Sequence, residues 1–196
     1  MFLIVYAHPN PKSFNHAIKE KVVEVLTRRD VPHEVRDLYA TGFNPVLSAK
    51  DFETFLSGSV PEDIKLEQEF IRKSQFLVFI YPIWWTGMPA ILKGYIDRVF
   101  SYGFAYEERN GELVGLLSDK KAIIINTLGA SSLDYGPSGM EECLRKTADV
   151  GIFKFCGIEV IEHMFLYSVP YVSDEERSKM LELVEKTFEK LAEVFL

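Results

Sequence analysis

Hydrophobic positions along the chain follow two patterns that take turns. Short unbroken apolar runs, Phe2-Leu3-Ile4-Val5-Tyr6-Ala7, Phe76-Leu77-Val78-Phe79-Ile80-Tyr81 and Ala122-Ile123-Ile124-Ile125-Asn126, predict strands covered by helices on both faces. Between them, apolar residues recur at helical spacing. Phe14, Ile18, Val22, Val25 and Leu26 mark one face of a helix over 14–29, and further helices are predicted over 61–74, 89–100 and 140–150. His33 to Leu38 alternates as a short strand at a sheet edge, residues 39–47 form an irregular connection, and Ile158 to Phe165 gives a fifth strand. A last helix from Asp174 to Phe195 places Met180, Leu183, Val184, Phe188 and Leu191 on one side, with Ser173 as N-cap and Glu176 in the capping-box position. Strand and helix alternate throughout. That predicts one α/β domain, 1–196, with a five-stranded parallel sheet in the order 2-1-3-4-5, helices on both faces and a ligand at the switch point between the first and third strands.

Composition narrows the function classes. The 196 residues are 47% hydrophobic and 26% charged, enough for a sizeable core, and the formal net charge is −7. Lys and Arg are scattered, so the footprint of a nucleic-acid binder is missing. The N-terminal apolar run is too short for a signal peptide and no other run approaches membrane-spanning length, so a cytoplasmic protein without membrane insertion is expected. Cys143 and Cys156 have neither metal-type spacing nor a disulfide framework; both are expected to be packing residues, and no metal site is expected.

Three loops follow the central strands and are expected to converge. The first, Ala7 to Asn15, can present Ser13, Asn15 and free backbone amides to a phosphate at a helix N-terminus, with the charge of Lys12 nearby. It matches neither the P-loop nor the G-x-G-x-x-G pattern, which disfavours nucleoside triphosphate chemistry. His8 is either an ordinary strand-end histidine or a participant in the site. In the second loop, Pro82 ends the strand and Gly87 with Pro89 relaunches the chain as a helix. Its Trp84 and Trp85 either fill the core or stack on a planar ligand, the second reading being favoured by close backbone approach at Gly87. The third loop, Thr127 to Gly136, is rich in small residues that offer donors to an electron-rich ring edge, and Tyr135 is its one strong proton donor. Asn110-Gly111 favours a tight turn, and a hairpin there is expected to project and help build a symmetric dimer with contacts from Phe104, Tyr106 and Leu113. Glu107, Glu108 and Arg109 read as a solvated face, and His16, His33 and His163 as surface or helix-packing residues.

Ala7-His8 with Ser13-Phe14-Asn15, Asp37-Leu38-Tyr39-Ala40, Phe43-Asn44-Pro45, Pro89-Ala90-Ile91-Leu92-Lys93-Gly94, Arg98-Val99-Phe100, Phe104-Ala105-Tyr106 and Phe155-Cys156-Gly157 follow one another in an order and spacing that resemble the DT-diaphorase-like NAD(P)H:quinone oxidoreductases. The resemblance implies a flavodoxin-like fold, a non-covalent flavin, NAD(P)H as reductant, and a homodimer with its sites at the interface. Hydride would pass from nicotinamide to flavin and on to a quinone or similar small acceptor, in ping-pong order. The pattern Ser13-Phe14-Asn15 repeats that of the FAD-binding branch, so FAD is expected ahead of FMN. Carried over by position, His8, Ser13, Phe14 and Asn15 would hold the phosphate and adenylate side. Pro82, Ile83, Trp84, Trp85 and Thr86 would border the flavin ring, with Trp85 also facing substrate. Thr127, Leu128 and Gly129 would meet the pyrimidine edge, and Tyr106 would come from the partner subunit to close the acceptor pocket.

The chain also departs from that pattern. In the mammalian type the third loop continues to a histidine that stabilises charge on the reduced flavin, whereas no histidine lies here between residues 34 and 162. That leaves Tyr135 and the Gly129 amide as candidate catalytic donors. The usual glutamine before the first site tryptophan is Trp84 and the usual aromatic after it is Thr86. The long mammalian C-terminal extension is expected to be absent. Two alternatives remain, a flavodoxin-type electron carrier and a regulatory flavoprotein subunit of a potassium-efflux system.

Overall fold

The structure is a computed structural model that describes residues 1–195. In chain order its elements are β1 (Phe2–Tyr6), α1 (Phe14–Arg28), β2 (His33–Asp37), α2 (Ala49–Leu56), α3 (Glu62–Lys73), β3 (Phe76–Pro82), α4 (Ala90–Val99), β4 (Tyr106–Arg109) and β5 (Glu112–Gly115). They continue with β6 (Lys121–Thr127), α5 (Ser132–Tyr135), α6 (Met140–Arg145), a π-helical segment Lys146–Lys154, β7 (Glu159–Leu166) and α7 (Asp174–Phe195). The main sheet has the order β2-β1-β3-β6-β7, and every neighbouring pair is parallel. Setting aside the separate β4-β5 hairpin, this is the order 2-1-3-4-5 expected from the apolar runs.

The sheet divides the core in two. Leu3, Val5, Leu77, Phe79, Ala122 and Ile124 face α3, α4 and the π-helical segment, while Phe2, Ile4, Tyr6, Val78, Ile80, Ile123 and Ile125 face α1 and α7. Successive side chains alternate between faces, and burial on both sides is why these strands are apolar throughout. Fully burying each Leu, Ile or Val contributes about 1.5–3 kcal/mol. On the second face, Arg28 of α1 and Arg29 just beyond its end pair with Glu185 and Glu189 of α7. Among the described residues, no helix is long and apolar enough to cross a membrane.

Several details depart from the sequence reading. The connection after residue 47 contains α2, started by Ser48, whose hydroxyl accepts from the Asp51 amide while the Asp51 carboxylate accepts from the Ser48 amide. The excursion carrying α2 is held down by Arg98 of α4, a buried guanidinium that bonds both oxygens of Asp51, the Asp63 carboxylate and the Asn44 carbonyl. Pro45 lies so close to α4 that a side chain at Gly94 would strike its backbone. Cys143 is exposed, so of the two cysteines only Cys156 is a packing residue. Phe104 belongs to the core and is not available to a second subunit, whereas Leu113 is exposed. The β4-β5 hairpin forms as expected, with Asn110 and Gly111 both at positive φ, 55° and 83°. The helix beginning at Met140 widens into a π-helix after Arg145. The capping box of α7 at Ser173 and Glu176 is present as expected.

Candidate functional site

The carboxyl ends of β1, β3 and β6 open onto a cleft of about 700 Å³. Its walls are the three loops singled out above: His8, Ser13, Phe14 and Asn15 from the first, Pro82, Ile83, Trp84 and Trp85 from the second, and Thr127, Leu128 and Gly129 from the third. Asn10, Val169 and Pro170 complete it. The last two follow β7 and reach the cleft because the Val169 amide bonds the Leu128 carbonyl at 2.9 Å, a contact between distant segments that no local sequence signal reveals.

The first wall is a helix N-terminus. Ser13 caps α1, its hydroxyl accepting from the His16 amide at 3.1 Å. The Phe14 and Asn15 amides lie in the first turn, where an α-helix has no internal acceptor, and no acidic side chain occupies that turn. This is a site for an anion. Asn15 is 3% exposed, and its amide nitrogen donates to the Thr127 hydroxyl at 2.7 Å. Its carbonyl oxygen is buried without any hydrogen-bond partner among the described residues. A buried unpaired acceptor costs about 1–3 kcal/mol, so its presence at the cleft marks a place for a ligand donor. His8 accepts from the Asn10 amide through Nδ1 at 3.0 Å, and burial pushes its pKa down. The neutral tautomer therefore keeps Nε2–H as its one donor.

The second wall is a strained turn. Trp84 and Gly87 exchange backbone hydrogen bonds of 3.0 and 3.1 Å, while Trp85 and Thr86 between them both have positive φ, 49° and 57°. This is the primed turn of a hairpin, usually built from Asn or Gly. Left-handed backbone costs about 1–2 kcal/mol for a residue with a side chain. Trp85 is fully exposed and Trp84 is 41% exposed, its ring 5.6 Å from that of His8. The alternative of core filling is thereby excluded: strain is spent on holding an indole out over the cleft mouth. The expectation for Thr86 changes too. Its hydroxyl bonds the Trp85 carbonyl at 2.7 Å, and its side chain faces a second chamber of about 210 Å³ behind the turn. Thr86→Gly is expected to raise stability by about 1 kcal/mol, a rise in melting temperature of about 2–4 °C in a chain of this size. A thermal melt followed by circular dichroism checks this, and an unchanged or lowered midpoint would show the turn to be unstrained.

On the third wall, the Gly129 amide has no acceptor among the described residues, whereas the Leu128 amide bonds the Leu166 carbonyl at 2.9 Å. Tyr135 stands outside the lining, its ring edge-on to Tyr167 at 6.4 Å. Tyr106 is remote from the cleft in its own chain, packed on Phe155 at 5.1 Å and on Tyr102 at 5.7 Å. One departure is larger. His163, read as a surface or helix-packing residue, is buried in β7 with both ring nitrogens bonded.

The family model described as the flavodoxin-like fold matches residues 2–189. Among curated proteins, an NAD(P)H oxidoreductase of Haemophilus influenzae is 40% identical over 191 residues, covering 96% of this chain and 95% of its own. NAD(P)H dehydrogenase [quinone] 1 of Rattus norvegicus is 33% identical, covering 97% of this chain and 77% of its own length. Among solved structures, the NAD(P)H:quinone oxidoreductase of Methanothermobacter marburgensis superposes with a TM-score of 0.88 at 32% identity, covering 97% of this chain and 98% of that one.

Proposed function

The chain belongs to the flavodoxin-like family that includes the NAD(P)H dehydrogenases (quinone), and from that membership we propose that it is a cytoplasmic oxidoreductase moving two electrons from NAD(P)H, by way of a flavin bound in the cleft, to quinones or similar small acceptors. The observation that carries the reading is the convergence on one cleft of a helix N-terminus whose Phe14 and Asn15 amides are free, a buried unpaired amide oxygen and an exposed indole. Those features suit, in turn, a phosphate, a polyol and a flat ring.

The residues present fit a flavin. The Phe14 and Asn15 amides would take its phosphate, the Asn15 oxygen would accept from its ribityl chain, and Trp84 and Trp85 would border its ring. Phe14 lines the cleft where it can cover an adenylate, which favours FAD over FMN. When bound, the flavin supplies the redox chemistry, accepting a hydride equivalent and passing it on. The chain's own contribution is orientation and charge. The open mouth beside Trp85 lets a planar donor and then a planar acceptor occupy one slot at contact distance, which gives ping-pong kinetics. The Gly129 amide supplies a preorganised donor where negative charge gathers. Tyr135 stands outside the cleft lining, and it is from the family resemblance that we assign its hydroxyl, which has no partner among the described residues, as the second donor to that edge. Removal of such a donor in a dry site costs about 2.7–4 kcal/mol, and less where water enters. Tyr135→Phe is accordingly expected to slow flavin reduction by about tenfold with flavin occupancy unchanged. Stopped-flow absorbance decides, and a wild-type rate would leave the Gly129 amide to act alone.

Tyr106 can reach a cleft only from a second copy, so we propose a homodimer built around the β4-β5 hairpin with Leu113 in the contact. Light scattering is expected to give a dimer with flavin bound; a flavin-loaded monomer at micromolar concentration would sink the trans role of Tyr106. The function itself is tested by anaerobic addition of NADH and NADPH, with reoxidation by quinones, nitroaromatics and azo dyes, and chromatography of the released flavin. Bleaching by nicotinamide and recovery with the acceptor support the enzyme. A flavin that nicotinamides cannot reduce would point to an electron carrier.

A further inference from the structure

The chamber behind the strained turn holds a buried group that the proposed chemistry does not use. It adjoins the cleft at Ile83 and is bounded by Tyr81, Met88, Asn126, Ile152 and His163. His163 projects from β7 with almost no exposure. Its Nδ1 lies 2.7 Å from an Asp149 carboxylate oxygen, and its Nε2 lies 2.8 Å from the Asn126 side-chain oxygen. The Asn126 nitrogen points the other way, toward the Tyr81 carbonyl at 3.4 Å.

Those partners orient the ring. The Asp149 carboxylate only accepts, so Nδ1 of His163 donates to it, and Nε2 is thereby aimed at the Asn126 amide. The ring also lies flat on Phe165, with centroids 4.3 Å apart, and the Arg145 guanidinium sits over the same Phe165 ring at 4.8 Å. The remaining ionisable neighbours are Glu141, which bonds Arg145 and the Tyr167 hydroxyl, and Lys93 across the chamber, which pairs with Asp97. Tyr81 is held neutral by burial. Asp149 is therefore the one carboxylate in hydrogen-bond contact with the ring among the described residues. It is carried on the π-helical turn, a local widening that is uncommon and often marks a functional place.

The bonded amide sits at a critical point of the chain. Asn126 precedes Thr127, which Asn15 grips from the opposite face of the sheet, and Thr127 in turn accepts from the Ile83 amide at 2.9 Å. The end of β6 is thus clamped from both faces, by α1 on one and by His163 on the other. Its next residues form the Leu128–Gly129 rim of the cleft.

We propose that His163 is a positioning residue for the flavin chemistry: anchored by Asp149, it locks the Asn126 amide and so holds the Thr127–Gly129 rim in the orientation that favours negative charge on a bound flavin. The proposal rests on the reading of the cleft as a flavin site. It predicts a differential effect on the two redox states. Oxidised flavin, carrying no charge at that edge, binds equally well with or without the clamp, while reduced flavin loses a well-aimed donor.

Two measurements test it. In cofactor-free protein labelled with nitrogen-15, the imidazole shifts of His163 are expected to show Nδ1 protonated and hydrogen-bonded to Asp149; a bare Nδ1 overturns the proposal. In flavin-loaded protein, His163→Gln and Asp149→Asn are each expected to reduce the equilibrium constant for two-electron reduction by about tenfold, about 30 mV lower in potential, with affinity for oxidised flavin unchanged. Asp149→Asn keeps the ring in place, which separates charge from packing and covers the case in which His163→Gln fails to fold. A purely structural role would lower the melting temperature and weaken both redox states alike, leaving the potential unmoved, and that result also overturns the proposal. Failure of the wild type to take up any flavin would sink the reading of the cleft and the proposal with it. Unchanged potentials in loaded variants would sink the proposal alone.

Discussion

Arg98→Ala is expected to remove about 3–5 kcal/mol of stability, roughly 10 °C in melting temperature for a chain of this length. Arg98 is 4% exposed and grips three partners at once: Asp51 through two bonds of 3.2 and 3.0 Å, Asp63 at 2.6 Å and the Asn44 carbonyl at 2.9 Å. Truncation leaves the buried Asp51 carboxylate with only its Ser48 bonds. The loss comes mostly from that stranded charge and only partly from the pair's own attraction. The pH dependence has a definite sign. The Arg98 guanidinium holds the Asp51 pKa below its ordinary value, so the stabilisation is present above the unfolded-state pKa of Asp51 and is lost as pH falls through the folded-state value. The gap between wild type and variant should narrow on the acid side. Thermal melts across that range decide, and a variant within about 2 °C of wild type at neutral pH would show that the α2 excursion is not held by this clamp.

Asn15→Leu is expected to act in opposite directions on the two states of the protein. The side chains are close in size, and the buried oxygen that lacks a partner disappears, so the cofactor-free protein should be no less stable. Flavin affinity should fall by about 2 kcal/mol, roughly thirtyfold, because the acceptor for the ligand and the grip on Thr127 are lost together. Calorimetric titration with FAD and FMN measures the affinity, and a melt of the same cofactor-free sample measures the stability. A loss of stability with affinity intact would mean that Asn15 only braces the end of β6.

Much of this was legible in the residues. Strands buried on both faces must be apolar at every position, and that left β1, β3 and β6 visible as runs. The Ser173-Glu176 capping box and the Asn110-Gly111 turn are local chemistry, so they too could be read directly. The three loops converge because parallel strands all deliver their carboxyl ends to one side. What stayed hidden depends on distant partners. Ser48 and Asp51 carry a capping signal for α2, but the helix is short and its main anchor, Arg98, lies far along the chain. The widening after Arg145 has no sequence pattern of its own. His163 is on an edge strand, where alternation does not say which face is covered, and only the approach of the segment bearing Asp149 buries it. Val169 and Pro170 join the cleft by a similar long-range contact. Phe104 shows the converse: an aromatic beside a projecting hairpin is buried in the core.

Both tryptophans of the chain stand side by side in the turn between Trp84 and Gly87. The protein's indole emission therefore originates at the rim of the cleft and nowhere else. Trp85 is already surrounded by solvent in the folded protein, so heating or denaturant will shift its spectrum little, and intrinsic emission will under-report unfolding. The same placement makes it a sensitive optical probe of occupancy: a flavin or quinone stacked beside the turn will quench light that no buried indole elsewhere can contribute as background.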